Sequence, residues 1–353
     1  MERNEAKNLV IKAGLELVRT GLIARTWGNV SCRIDGETFA VTPSGREYDS
    51  LMPDDIVEVN IKDLSWSGSI KPSSEKGVHA AVYRLRPEIN FVIHTHQENA
   101  SAVAATGLDS FTPISDYSEL GPSVVCAKYA LPGTKALIRS VTKALKRSAG
   151  NAVILKHHGA LCFGGSYEDA FAAAYRLETA SGEFINHSGG QIRTEPPDEI
   201  PPVPGEAKAL LKAWDASGCQ GRILISTDAD VVRFSRIGTV MRPLLDDFAQ
   251  IVGTRIVTVE NDPDLVFRAL KSVSTVMVKD LGAVCRGSDE MEAEAVRMIV
   301  RKNCKAYFAS WTFGRPNYIR PWECVLMRRT YLNRYSKMAE KNKCRDDRSA
   351  AVK

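Results

Sequence analysis

Between Glu195 and Gly205 the chain reads Glu-Pro-Pro-Asp-Glu-Ile-Pro-Pro-Val-Pro-Gly, and no other segment limits the fold as much. Proline fixes φ and lacks the amide N–H that a helix or central strand requires. Five prolines in this span predict a stiff, extended linker near the middle of the 353 residues. A chain of this length is expected to hold two domains. The expected division is a first domain over 1–194, the linker over 195–205, a second domain over 206–338 and a basic, disordered tail over 339–353.

Patterning within the first half mixes helices with strands. Leu9, Val10, Ala13 and Leu17 recur at helical spacing, predicting a helix over 4–20 closed by Gly21. Residues 30–33 and 38–42 alternate as strands joined by an Asp35-Gly36 turn, and 56–61 reads as a third strand. Helices are predicted over 75–85, entered through Ser73 and Ser74, and over 99–106 and 135–146. A further helix runs from Ser166 to about Asn186. This mixture predicts α/β or α+β layering around one sheet.

Composition narrows the function classes. With 44% hydrophobic and 25% charged residues the chain resembles an ordinary globular protein. No apolar run approaches the length that spans a bilayer, and residues 1–7 lack the apolar core of a signal peptide. Eight cysteines without Cys-x-x-Cys spacing read as reduced thiols. A cytoplasmic protein with no membrane partner is expected. Much of the net charge of +5 gathers near the C-terminus, in Arg328, Arg329, Arg334, Lys337, Lys341, Lys343 and Arg345. These read as a solvated helix and tail, so no nucleic-acid partner is expected.

The chemistry concentrates in the histidines. Of six, four lie at the ends of two apolar runs, Ile89-Asn90-Phe91-Val92-Ile93-His94-Thr95-His96 and Val153-Ile154-Leu155-Lys156-His157-His158. Alternation on a strand puts His94 and His96 on one face. A third histidine from the second run completes three imidazoles with one open position, the usual layout of a catalytic zinc site. Upstream, Gly28-Asn29-Val30-Ser31 and Thr42-Pro43-Ser44-Gly45 are turns whose N–H groups can approach a ligand closely. Ser73-Ser74-Glu75 opens a helix, a place that attracts anions. Together they suggest a phosphate cradle beside a Lewis acid, with Glu75 as the available carboxylate.

A weak internal repeat links the two halves. Lys156–Gly164 resembles Lys279–Gly287, and Phe91–His96 finds an echo in Ile223–Asp228. In this alignment Ser226, Asp228 and Leu281 take the places of the three histidines, so the second half cannot hold the same metal.

Glu2 to Asn186 resembles the class II zinc-dependent sugar-phosphate aldolases of the L-fuculose-1-phosphate aldolase type, a family that includes L-ribulose-5-phosphate 4-epimerase and the non-catalytic adducin head. The resemblance rests on Gly28-Asn29-Val30-Ser31, Thr42-Pro43-Ser44-Gly45, Ser73-Ser74-Glu75, His94-Thr95-His96 and His157-His158-Gly159 in order. It implies a three-layer αβα domain with a mainly antiparallel central sheet, followed here by a smaller, degenerate α/β copy. It implies Zn2+ on His94, His96 and His158, with His157 as a neighbour, and the substrate phosphate on Asn29, Ser44, Gly45, Ser73 and Ser74. Glu75 takes the place of the family's acid/base. The implied reaction is reversible cleavage of a phosphorylated ketose to dihydroxyacetone phosphate and an aldehyde, zinc stabilising the enediolate. Glutamate at 75, where the epimerases resemble Ser-Ser-Asp, favours aldolase over epimerase; dehydratase and decarboxylase activities on the same site stay open. An adducin-like binding role predicts lost ligands, whereas His94, His96, His158 and Glu75 are all present. A homo-oligomer is implied. Tyr117 lies in the region where the family's second acid is expected, but Ser115-Asp116-Tyr117-Ser118 does not match well enough to assign it.

Overall fold

The computed structural model describes residues 1–23, 27–189 and 204–336. Most of the proline-rich segment and the tail over 339–353 lie outside the described residues. The chain divides into two compact units, one built on Met1–His187 and the other on Ser188–Tyr331.

The first unit carries α1 (Arg3–Arg19), β1 (Asn29–Arg33), β2 (Thr38–Val41), β3 (Val57–Asn60), α2 (Lys76–Leu85), β4 (Phe91–Thr95) and α3 (Glu98–Ala105). It continues with β5 (Ser110–Phe111), β6 (Val124–Ala127), α4 (Lys135–Leu145), β7 (Ala152–Leu155), β8 (Gly159–Gly164) and α5 (Tyr167–Gly189). One sheet runs in the order β3-β2-β1-β4-β8-β7-β6-β5. All its pairs are antiparallel except β6 with β7.

Alternation along the strands separates two cores. Val30, Cys32, Phe91, Ile93 and Ile154 pack with Leu17 of α1, Val103 of α3 and Leu177 of α5. Val41, Val92, Val153 and Phe163 face the other way and pack with Val82 of α2 and Val141 of α4. Helices therefore cover both faces, which is the three-layer arrangement expected.

The second unit holds α6 (Pro204–Ala216), β9 (Arg222–Ser226), α7 (Ala229–Ile237), α8 (Asp246–Ile251), β10 (Thr258–Val259), α9 (Pro263–Leu270), β11 (Thr275–Val278), β12 (Gly282–Gly287), α10 (Glu290–Thr312) and α11 (Pro321–Thr330). Its sheet order is β10-β11-β12-β9, with β10 parallel to β11 and the other pairs antiparallel. That is the order and polarity of β6-β7-β8-β4. Segment lengths agree as well: β7 and β11 have 4 residues, β8 and β12 have 6, and α5 and α10 have 23. The turns share a left-handed residue at the same place, His157 at φ 60° and Asp280 at φ 61°, although Gly282 adds a positive φ that Gly159 lacks.

The register corrects the alignment read from sequence. Ala160 of β8 pairs with Thr95, whereas Ala283 of β12 pairs with Ser226. Ser226 therefore matches Thr95, not His94. The residues standing where His94, His96 and His158 stand are Ile225, Thr227 and Leu281. A slip of one residue sends every side chain of a strand to the opposite face; the apparent echo of Asp228 with His96 arose from such a slip.

Candidate active site

His94 reaches the site because β4 is central, flanked by β1 and β8, and ends with its even-numbered side chains on the α2 face. Its Nδ1 lies 2.9 Å from the carbonyl oxygen of Ala160 and donates to it. That bond occupies Nδ1 and turns Nε2 toward the site. The Nε2 of His96 lies 3.0 Å from this nitrogen and that of His158 lies 2.8 Å from it. His96 follows the strand, its N–H donating to the carbonyl of Leu22. His158 is delivered by the β7–β8 turn, where the left-handed His157 turns its own ring against Tyr129, 5.2 Å between centroids. The two histidines of the turn thus face different surroundings.

Glu75 stands at the N-terminus of α2 and points into the same cluster. Its Oε2 is 3.0 Å from His94 Nε2 and its Oε1 is 3.2 Å from His158 Nε2. A carboxylate oxygen only accepts, so its approach calls for positive charge at the facing nitrogens, from a proton or from a cation they share. Burial by itself raises the Glu75 carboxyl, but the charge and hydrogen bonds of His158 and His94 outweigh it and hold the group well below the usual carboxylate range. His94, His96 and His158 offer three nitrogens within 4.8 Å of one another. This donor set fits a borderline divalent cation that favours imidazole.

Loops from β1 and β2 frame the other side. Asn29 Nδ2 donates to Glu75 Oε2 at 3.3 Å. The Thr42–Gly45 turn runs against the strand leading to α2: Ser73 N–H donates to Thr42 O at 3.0 Å and Ser44 N–H to Lys71 O at 2.9 Å. Ser73 Oγ accepts the N–H of Glu75 at 3.2 Å. Ser73 is buried, while Ser44 and Gly45 are half-buried and Ser74 is exposed. Asn29, Ser44 and Ser73 are thereby tied through these bonds to the segment that carries Glu75, with Gly45 next to Ser44 and Ser74 next to Ser73.

Residues 8–183 match the family described as the class II aldolase and adducin N-terminal domain. A 5-deoxy-D-ribulose 1-phosphate aldolase from Bacillus thuringiensis serovar kurstaki is 33% identical over 196 residues, covering 54% of this chain and 90% of the relative. The chain belongs to the class II aldolase and adducin family. An L-fuculose phosphate aldolase from Escherichia coli is 35% identical over 188 residues, covering 52% of this chain and 85% of the relative. Among solved structures, an L-fuculose 1-phosphate aldolase is similar at 31% identity with a TM-score of 0.49, over 55% of this chain and 92% of that one. The protein is an aldolase of this metal-dependent family. Each of these two matches covers little more than half of this chain.

Two features of the aldolase site were not legible in the sequence. Tyr117 is committed elsewhere, its hydroxyl donating to Glu183 of α5 at 2.9 Å. Conversely His79, Tyr83 and Ser31 form a buried polar chain behind Asn29. The sequence carries only part of its signal: Glu75, His79 and Tyr83 recur every four residues, one face of a helix, with nothing to show the partners on β1.

Proposed function

We propose that the protein is a zinc-dependent aldolase that reversibly cleaves a phosphorylated ketose to dihydroxyacetone phosphate and an aldehyde. The observation that carries this reading is the convergence of three imidazole nitrogens and the Glu75 carboxylate on one point. His94, His96 and His158 would hold zinc, which would supply Lewis acidity toward negative charge building on the ketose oxygens.

The remaining work falls to side chains of this chain. When the carbon–carbon bond breaks, the hydroxyl that becomes the aldehyde oxygen gives up its proton, the electron pair of the bond stays on the carbon next to the ketose carbonyl, and Glu75, taking up a proton in exchange, delivers it to that carbon. In the synthetic direction Glu75 removes the same proton. Asn29, Ser44, Gly45, Ser73 and Ser74 hold the phosphate through amide, hydroxyl and backbone N–H donors near the N-terminus of α2. Burial of Glu75 and His94 excludes water and strengthens each of these interactions.

The second unit, over 206–338, is read as a degenerate copy of the catalytic domain over 1–194. The shared strand order, polarity and segment lengths support that reading. Ile225, Thr227 and Leu281 at the ligand positions leave the copy without metal donors. The same reading makes the protein a cytoplasmic homo-oligomer that works on a phosphorylated sugar, with neither nucleic acid nor membrane as a partner. No helix among the described residues is long and apolar enough to cross a membrane.

The test is to incubate zinc-loaded protein with dihydroxyacetone phosphate and a panel of short aldehydes. New ketose phosphates are the expected product. Stoichiometric zinc with no condensation product from any aldehyde would refute the assignment.

A further inference from the structure

Asn29 occupies β1 with its amide between two partners. Nδ2 donates to Glu75 at 3.3 Å, and Oδ1 makes a short contact with His79 Nε2. Behind it, His79 Nδ1 lies 2.7 Å from Ser31 Oγ, which lies 2.7 Å from the hydroxyl of Tyr83. All five side chains are buried. Two periodicities build the chain of contacts: Glu75, His79 and Tyr83 share one face at four-residue spacing, and Asn29 and Ser31 alternate onto the facing side of β1.

Chemistry fixes the direction of every proton. A carboxylate only accepts, so Asn29 turns its NH2 toward Glu75 and its carbonyl oxygen toward His79. That oxygen also only accepts, so His79 must donate through Nε2 and accept through Nδ1. Ser31 then gives its proton to Nδ1 and takes a hydrogen bond from the phenol of Tyr83.

We infer that the sequence of contacts from Tyr83 through Ser31 and His79 is a positioning device, which holds the Asn29 amide with its N–H groups turned to Glu75 and to the incoming phosphate. Only the phosphate clause rests on the function proposed above. With the amide turned over, Asn29 would set its carbonyl oxygen against the Glu75 carboxylate and present an acceptor to an anionic substrate.

Burial supplies the neutral, one-way donors that such a device needs. Desolvation, aided by the charge of His94, pushes the His79 imidazole down to about 3, so the ring keeps a single N–H. Desolvation also holds the Tyr83 phenol well above its usual value, and Tyr83 stays a donor. The second unit offers a contrast. Among the described residues no strand there corresponds to β1, and the helix position matching His79 is Leu210, packed in an apolar cluster.

Two measurements on the full chain test the inference. Nitrogen-15 NMR of labelled histidines at neutral pH should show His79 as the Nε2–H tautomer with Nδ1 accepting; the Nδ1–H tautomer or an imidazolium would overturn it. His79→Gln keeps an N–H donor for Asn29, and His79→Leu removes it. His79→Leu should raise KM for a ketose phosphate roughly tenfold, the loss of about one hydrogen bond, with His79→Gln recovering most of the difference and both variants keeping their zinc. An unchanged KM in His79→Leu, or no recovery in His79→Gln, would refute the positioning role. If no ketose phosphate is turned over at all, the proposed function fails while the tautomer of wild-type His79 still decides this inference.

Discussion

Two glycines at the same place in the two units allow one substitution to be compared with its own control. A Cβ added at Gly159 would lie 2.2 Å from Thr95 O and 3.3 Å from His94 Cε1. A Cβ added at Gly282 would lie 2.1 Å from Ser226 O. In each case the strands must part by about 1 Å to restore ordinary contact. The flanking ladder bonds weaken at about 1 kcal/mol each, so Gly159→Ala should lower stability by about 2–4 kcal/mol, and Gly282→Ala by more, because Gly282 also stands at φ 125°, where an L side chain is strained.

Only Gly159 sits beside the histidines. A shift of about 1 Å between β4 and β8 separates His94 from His158, and metal sites tolerate only about 0.2 Å. Gly159→Ala should therefore weaken zinc at least tenfold, a loss of about 1.4 kcal/mol. Gly282→Ala should leave zinc unchanged although it costs more stability than Gly159→Ala. Chelator competition followed by metal analysis measures the affinity, and urea unfolding measures the stability. Equal zinc loss from both variants, or undiminished zinc in Gly159→Ala, would refute the reasoning.

Glu75→Gln keeps the shape of the side chain but cannot move a proton. It should retain zinc and lose roughly 100-fold to 10,000-fold in turnover, and unchanged turnover would remove Glu75 from the mechanism. His96→Ala should lose zinc, whereas Thr227→Ala at the matching place in the second unit should not; metal analysis of the purified variants decides. Burial of His79 as a neutral ring predicts a pH effect. Its value falls from 6.5 to about 3 on folding, so between those limits the unfolded chain binds a proton that the folded chain refuses. Stability should then decline as pH falls below 6.5, by about 1.4 kcal/mol per pH unit from this group. In metal-free protein, His79→Gln should flatten that slope by about one proton; identical slopes would contradict it.

The site was legible where short motifs coincide with strand ends and helix starts. His94 and His96 could be placed from alternation along an apolar run, and Glu75 from the serines that open α2. Less could be read where the information lies between distant segments. Val124–Ala127 is a four-residue buried run whose parallel partner β7 is set by packing, and periodicity cannot identify so short an element. The match of the two halves was readable, but not its register. Ser226-Thr227-Asp228 imitates His94-Thr95-His96 in sequence through the shared threonine, and only the pairing of Ala283 with Ser226 reveals the slip. The polar chain behind Asn29 was legible only in part, because the four-residue spacing of Glu75, His79 and Tyr83 marks one helix face but not the β1 side chains it meets.

The central claim is that this metal site and Glu75 remove a proton from the carbon next to a carbonyl. Because the aldehyde partner does not enter that half-reaction, the most direct measurement is hydrogen exchange of dihydroxyacetone phosphate alone in deuterated water, followed by NMR. Zinc-loaded protein should replace one hydrogen on the hydroxymethyl carbon with deuterium, and both metal removal and Glu75→Gln should abolish the exchange. No exchange by fully zinc-loaded wild type, or equal exchange by Glu75→Gln, would contradict the account.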